Sequence, residues 1–188
     1  SLAEWIVREL GVPLFLARRP SGAGHRRAIA VVDSEALGLD TLLRAAGWFC
    51  RPEALTVCQM LDPMIQRHLH AADLPVPAIH AWMETAVSRA GQALADRLAR
   101  EELQAARSLI LQGNAVSRVV DEQQRGGASL LLVNKPRRAW WADLLWPSLG
   151  RRLADRVDCD VLWVPTPRPG AGTGHRRLGL PQMMSGAQ

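Results

Sequence analysis

Five short apolar runs, separated by segments with helical periodicity, constrain the fold of this 188-residue chain more than any other feature. The runs are largely continuous rather than alternating, as expected of parallel strands that are buried on both faces of a sheet. Neighbouring parallel strands need crossover connections, and the segments between the runs have the length and spacing of helices. The predicted strands are 28–32, 55–61, 108–112, 129–133 and 161–164.

This alternation predicts an α/β fold with a doubly wound, five-stranded parallel sheet over residues 28–165. Ligands of such sheets bind beyond the carboxyl ends of the strands, where the strand order reverses. The loops after Val32, Gln112 and Val133 are therefore the places to look for a site.

Local signals indicate where the helices begin and end. Asp40 is predicted to cap the first helix, and Asn114 is predicted to cap the third. Gly126 and Gly127 are expected to end that third helix. The second helix is predicted over residues 82–98, after a loop that extends to about residue 80.

An internal repeat indicates what the N-terminal segment is. Residues 148–164 line up with residues 1–17 at a constant offset, and both segments begin Ser-Leu and continue as a short helix and an apolar strand. Residues 1–17 are then interpreted as the last helix and strand of a preceding copy of the domain, and 18–27 as a linker. The alternative is an unrelated helix and strand.

Pairing at the sheet edge follows from the repeat. An exposed apolar strand edge promotes aggregation unless another strand covers it. We expect an extra N-terminal strand to pair with the last strand of the sheet, either within one chain or exchanged between two copies. The residues expected in this pairing are Leu14, Phe15, Leu16, Val161, Leu162 and Trp163.

The charge distribution argues against specific nucleic-acid binding. The chain has a formal charge of +5, yet residues 28–165 carry 15 basic and 16 acidic side chains. The excess lies in the linker and in the acid-free tail 166–188, which is expected to be disordered. No stretch free of charged residues exceeds eleven, too short for a membrane span. Three cysteines without paired spacing favour a reducing, cytoplasmic location.

The order of elements over 28–165 resembles the universal stress protein family. The resemblance rests on Asp33 at the end of the first strand, Gly113 at the end of the third, and a last helix that starts at Ser148. With the N-terminal remnant, the chain is similar to the second domain of a tandem member. The resemblance implies a Rossmann-like fold and a partner at the last strand: the first domain of the same chain or a second copy.

Nucleotide-binding members of this family carry the loop Gly-x-x-Gly-x9-Gly-Ser/Thr, whose glycines let backbone N–H groups approach phosphate oxygens. Here those positions are Asn134, Arg137, Pro147 and Ser148, so only the last matches. We therefore expect no cofactor. The alternative is ATP or another adenine nucleotide bound in a changed pose, at the family's site positions. Those positions are Asp33, Gly113, Asn134, Arg137 and Ser148; Asp33 and Gly113 are equally explained as turn residues.

Three tryptophans stand within the altered loop, at Trp140, Trp141 and Trp146. Indole rings are large and apolar, so they either fill the vacated pocket or form an exposed patch for a partner protein or an apolar ligand. Both interpretations make the loop hydrophobic where phosphates would otherwise bind.

Outside this loop, the residues whose side chains could act in catalysis or bind a metal form no recognised catalytic motif. The segment 62–80 contains side chains that can bind a transition metal, but solvated histidines on a loop are the simpler interpretation. No phosphate-binding loop or nucleophile elbow is present. In segment 62–80, the candidate metal ligands are Asp62, His68, His70, Asp73 and His80.

The expected function is a non-enzymatic stress-response or regulatory module. The alternative is an ATP sensor with slow ATPase activity.

Overall fold

A single six-stranded sheet organises the computed structural model of the chain, in the strand order β1-β6-β5-β2-β3-β4. The structure describes residues 13–18, 26–32, 38–61, 68–69, 71–72, 74–135 and 149–166. The strands are β1 (Leu14–Leu16), β2 (Ala28–Val32), β3 (Leu55–Met60), β4 (Arg107–Leu111), β5 (Leu130–Lys135) and β6 (Asp160–Pro165). The helices are α1 (Leu39–Phe49), α2 (Val76–Arg100), α3 (Ala115–Gly126) and α4 (Leu149–Ala154), with a short 3-10 helix over Pro52–Ala54.

Strands β2 to β6 are all parallel, which confirms the predicted doubly wound sheet. Ala28 lies between Leu55 of β3 and Leu130 of β5, and Leu130 in turn lies opposite Asp160 of β6. β1 adds a sixth strand, antiparallel to β6. The sheet edges within the described residues are therefore β1 and β4.

Two apolar layers hold the helices on opposite faces of the sheet. One layer packs the buried leucines of α1 and the C-terminal half of α2 against alternate side chains of the strands. The other packs α3 and α4 against the remaining strand side chains, such as Ile29, Leu131 and Val161. β2 is buried at all five positions because it lies in the middle of the sheet, so its apolar run is continuous.

The helix ends confirm two local predictions and correct two others. Asn114 caps α3 through its Oδ1, which accepts from the Ser117 backbone N–H at 3.4 Å, and Gly127 ends α3 with a left-handed φ of 61°. The prediction for Asp40 is wrong: Gly38 is the N-cap of α1, and Asp40 lies in the first turn. Its carboxylate instead accepts a hydrogen bond of 3.0 Å from Arg97.

Helix α2 begins earlier than predicted, at Val76. Pro75 at the N-cap and Pro77 in the first turn supply φ angles that suit a helix start, where missing N–H groups cost nothing. His80, assigned to a loop from the sequence, therefore lies on an exposed turn of this helix. The predicted N-terminal helix and the tail 166–188, apart from Thr166, lie outside the described residues.

Candidate functional site

The strand order reverses between β2 and β5, so the crevice expected to hold a ligand lies at the carboxyl ends of these two strands. The chain leaves β2 towards β3 on one side, and α3 returns it to β5 on the other. Val31 pairs with Val133, which places Val32 and Asn134 next to each other at the end of the paired stretch. Asn134 is the first position of the altered glycine loop.

Asn134 carries a buried acceptor with no partner. Its Oδ1 is inaccessible to solvent and accepts no hydrogen bond from any described residue. A buried, unsatisfied carbonyl oxygen costs about 1–3 kcal/mol relative to a satisfied one. An N–H or O–H donor from a ligand would satisfy this oxygen, whereas a phosphate oxygen would not.

The start of α1 closes over the same end of the sheet. Gly38 has a φ of 91°, and a Cβ there would lie 3.2 Å from Cγ2 of Thr166, which follows β6. Both the left-handed backbone and the close approach require glycine. No local pattern in the sequence marks Gly38, because the neighbour that crowds it is 128 positions away in the chain.

Of the other family positions, Gly113 alone is described. It lies two residues after β4, with a φ of 73° and nothing within 4 Å of an added Cβ, so its backbone conformation explains the glycine. Three strand spacings, about 14 Å, separate the ends of β4 and β5. The predictions for Asp33, Arg137 and Ser148, and for Trp140, Trp141 and Trp146, lie outside the described residues.

Within the described residues, no group of three or more His, Cys, Asp or Glu side chains is arranged to hold a metal ion. His68 lies in a helical turn and His80 on α2, while Asp62, His70 and Asp73 lie outside the described part. The same part contains no helix that is long and apolar enough to cross a membrane.

Cys58, in the middle of β3, is fully buried. Burial and the nearby Glu122 carboxylate raise the pKa of its thiol to about 12, although Arg107 opposes the shift. Burial also raises the pKa of the Cys50 thiol. Neither thiol is activated as a nucleophile, because the thiolate is the reactive form.

The second candidate site is the sheet edge at β1, where the pairing predicted from the repeat is present. Leu14 lies opposite Trp163, Phe15 opposite Leu162, and Leu16 opposite Val161, in antiparallel register. β1 therefore covers the apolar edge of β6 with a strand from the other end of the chain.

Arg18 fixes this strand to the domain. Its backbone N–H donates a hydrogen bond of 2.7 Å to Oδ1 of the buried Asp160. Its guanidinium donates to the carbonyl oxygens of Ala154 and Val157, at the C-terminal end of α4. A cation at this end complements the helix dipole and satisfies carbonyls that have no partner within the helix.

Aromatic side chains continue this edge onto the face that carries α1. Phe15 stacks on Phe49, the last residue of α1, with ring centroids 6.3 Å apart and planes inclined by 11°. Phe15 is still 42% exposed and the neighbouring Trp48 is 83% exposed. We call Phe15, Trp48 and Phe49 the edge aromatics.

The fold agrees with the comparisons to known proteins. The model of the universal stress protein family matches residues 25–165, three quarters of the chain. The chain therefore belongs to the universal stress protein family. No curated protein sequence matches it.

Solved structures with this fold have low sequence identity to the chain. A putative universal stress protein from Pseudomonas aeruginosa is 15% identical, with a TM-score of 0.59 over 88% of this chain and 57% of its own. A universal stress protein from Archaeoglobus fulgidus is 11% identical, with a TM-score of 0.52 over 88% and 54%. The chain thus spans little more than half the length of these relatives. A hypothetical protein whose structure was used to assign its biochemical function is 11% identical, with a TM-score of 0.56 over 76% and 98%.

Proposed function

We propose that this chain is a non-enzymatic stress-response module with a degenerate nucleotide loop, and that it acts by binding a second universal stress protein domain at the β1 edge. The observation that carries the proposal is the docking of β1, whose outer edge has no strand partner among the described residues. An open edge beside exposed aromatic side chains favours pairing with another chain or domain.

The tandem interpretation agrees with the position of the linker. Arg18 lies beside Asp160, at the amino end of β6, and the linker leads to Ala28 at the amino end of β2. These two ends are two strand spacings apart, about 10 Å, whereas nine extended residues can span about 30 Å. A connection within one chain is therefore sufficient, without strand exchange. The two longer relatives, which match 88% of this chain, also support it.

Self-association of the chain tests the proposed edge, since a second copy can take the place of the proposed partner domain. We expect a dimer in sedimentation equilibrium, and Trp48→Ser to weaken it about tenfold or more, because tryptophans at interface centres contribute about 2 kcal/mol. Trp82→Ser is the matched control: Trp82 is also exposed but lies on α2. A chain that stays monomeric, or equal effects of both substitutions, would contradict the proposal.

A sensor that binds an adenine nucleotide is the second candidate, and the unsatisfied Oδ1 of Asn134 favours it. An exocyclic amine or a ribose hydroxyl carries the donor that this oxygen lacks. Asn134, Gly113 and Asp33 would then line the site, with the base and sugar rather than the phosphates supplying the recognition.

Calorimetry with ATP, ADP and AMP separates the two candidates. The non-enzymatic module predicts no binding below millimolar concentration and no ATP hydrolysis. Micromolar binding that Asn134→Val and Asp33→Ala both abolish would establish the sensor. In the absence of ligand, Asn134→Val is expected to raise the free energy of unfolding by about 1 kcal/mol, because it removes a buried acceptor without a partner.

A further inference from the structure

A cleft of about 600 Å³ opens at the amino ends of β2 and β3, opposite the end of the sheet that carries Asn134. Arg26 and Arg27 precede β2, Arg51 precedes the 3-10 helix before β3, and all three residues line the cleft. Ala28 and Leu55 are paired neighbours in the sheet, which brings the two entry segments together. Glu53 supplies the one acidic side chain of the lining.

The charges of the cleft are not neutralised from within. Neither Arg26 nor Arg51 forms an ion pair with a described residue, and Glu53 forms none either. Elsewhere in the described part of the chain, Arg44, Arg97 and Arg107 each form an ion pair with a carboxylate. Three positive groups facing one negative group leave the cleft with a surplus of two positive charges.

Arg27 is held in place by the domain. Its Nη1 donates a hydrogen bond of 2.8 Å to the carbonyl of Gly126 at the end of α3. Its backbone carbonyl accepts from the Ser129 N–H at 2.9 Å and from the Ser129 hydroxyl at 3.2 Å. One of the five N–H donors of the guanidinium is used, so the others remain available in a fixed orientation.

We propose that this cleft binds a small molecule that carries a diphosphate group. Guanidinium groups form paired, charge-assisted hydrogen bonds with phosphate oxygens, and several of them suit an anion with more than one charge. The cleft is broad and open to solvent, so its positive charge rather than its enclosure carries the proposed recognition. The cleft lies at the opposite end of the sheet from the family's nucleotide-site positions and is independent of the β1 edge.

Titration of the intact chain with inorganic pyrophosphate, followed by calorimetry at low salt, tests this cleft. We expect saturable binding that Arg26→Ala and Arg51→Ala each weaken about tenfold, the value of one charge-assisted hydrogen bond. Glu53→Gln should tighten binding several-fold, because it removes the opposing charge. Arg89→Ala, an exposed arginine on α2, is the matched control and should change nothing.

The proposal would be overturned if pyrophosphate showed no saturable binding, or if Arg89→Ala weakened binding as much as Arg51→Ala. It would also be overturned if Asn134→Val abolished pyrophosphate binding, because the anion would then bind at the other end of the sheet. Thermal unfolding of each variant checks that the fold is retained. ADP that binds with the same dependence on Arg51 would identify a nucleotide as the source of the diphosphate; weaker binding of ADP than of pyrophosphate would identify the free anion. Both results support the cleft.

Discussion

The backbone N–H of Arg18 donates a hydrogen bond to the buried carboxylate of Asp160 across 142 positions of sequence. Together with the guanidinium bonds to Ala154 and Val157, it makes the N-terminal strand an integral part of the domain. The segment before the family region therefore contributes to stability as well as to the edge of the sheet.

Replacement of Arg18 by Ala is expected to lower the free energy of unfolding by about 1–2 kcal/mol. The substitution leaves the carbonyls at the end of α4 without their donor and removes a cation from the negative end of the helix dipole. Urea unfolding monitored by circular dichroism measures the change. Arg118→Ala is the control, since Arg118 is exposed on α3, and an equal loss in both variants would exclude the capping role.

A methyl group at Gly150 is expected to crowd α4 against the sheet. A Cβ at this position of α4 would lie 3.2 Å from both Nε1 of Trp163 and Cγ2 of Val133, so Gly150→Ala should push the helix away from the sheet at a cost of about 1–3 kcal/mol. Gly91→Ala in α2 is the control, because its Cβ would meet only Ile110 at 3.9 Å. That variant should be as stable as the original or more stable by up to about 1 kcal/mol. Thermal unfolding of both variants is the measurement, and equal stabilities would refute the crowding.

Helix α2 ends in a Schellman motif with Glu102 where glycine is usual. Leu103 donates its N–H to the Leu98 carbonyl at 2.7 Å, and Glu102 has a φ of 58°. A left-handed backbone costs a residue with a Cβ about 1 kcal/mol, so Glu102→Gly should raise the free energy of unfolding by about 0.5–1 kcal/mol. Glu102→Ala should give no such gain. Chemical denaturation compares the two, and a gain in the alanine variant would point to the charge instead.

Because the pKa of the Cys58 thiol is raised, the free energy of unfolding is expected to fall at alkaline pH. Its pKa is raised to about 12 in the folded chain, so the thiol stays protonated there while the unfolded chain ionises near 9.0. The contribution of the protonated Cys58 thiol to the free energy of unfolding is complete below pH 9 and is lost as the pH rises from 9 towards 12. The free energy of unfolding should fall by about 1 kcal/mol between pH 9 and pH 10. Urea midpoints at these pH values test this, and Cys58→Ala should lose most of the dependence, with the smaller contribution of the Cys50 thiol remaining.

Accessibility to a thiol reagent gives an independent test of the same burial. At pH 8, Cys50 is expected to react slowly, since it is only partly buried, whereas Cys58 and Cys159 are expected to react only after unfolding. Labelling of all three cysteines in the native chain at equal rates would contradict the described packing of β3 and of the segment before β6.

The sheet can be predicted from the sequence because strands that are buried on both faces consist of apolar residues. β2 is buried on both faces and is therefore apolar at every position, and the caps at Asn114 and Gly127 act on neighbours within a few residues. The start of α2 differs from the prediction because prolines are common both in loops and in the first turn of a helix. Asp40 fits the N-cap pattern in the sequence, but Gly38 is the N-cap, because the close approach of Thr166 cannot be inferred from neighbouring residues.

The sequence by itself determined the order of strands and helices along the chain, the parallel sheet and the N-terminal strand at its edge. Periodicity, glycines and an internal repeat indicate these features, and all three can be recognised in the amino-acid sequence. The tertiary structure alone decided which distant residues meet. The bonds of Arg18, the contact of Gly150 with Trp163, the unsatisfied Oδ1 of Asn134 and the arginine cleft at the amino ends of β2 and β3 all join segments that are far apart in the chain. Packing of the whole sheet fixes these contacts, and no local pattern encodes them.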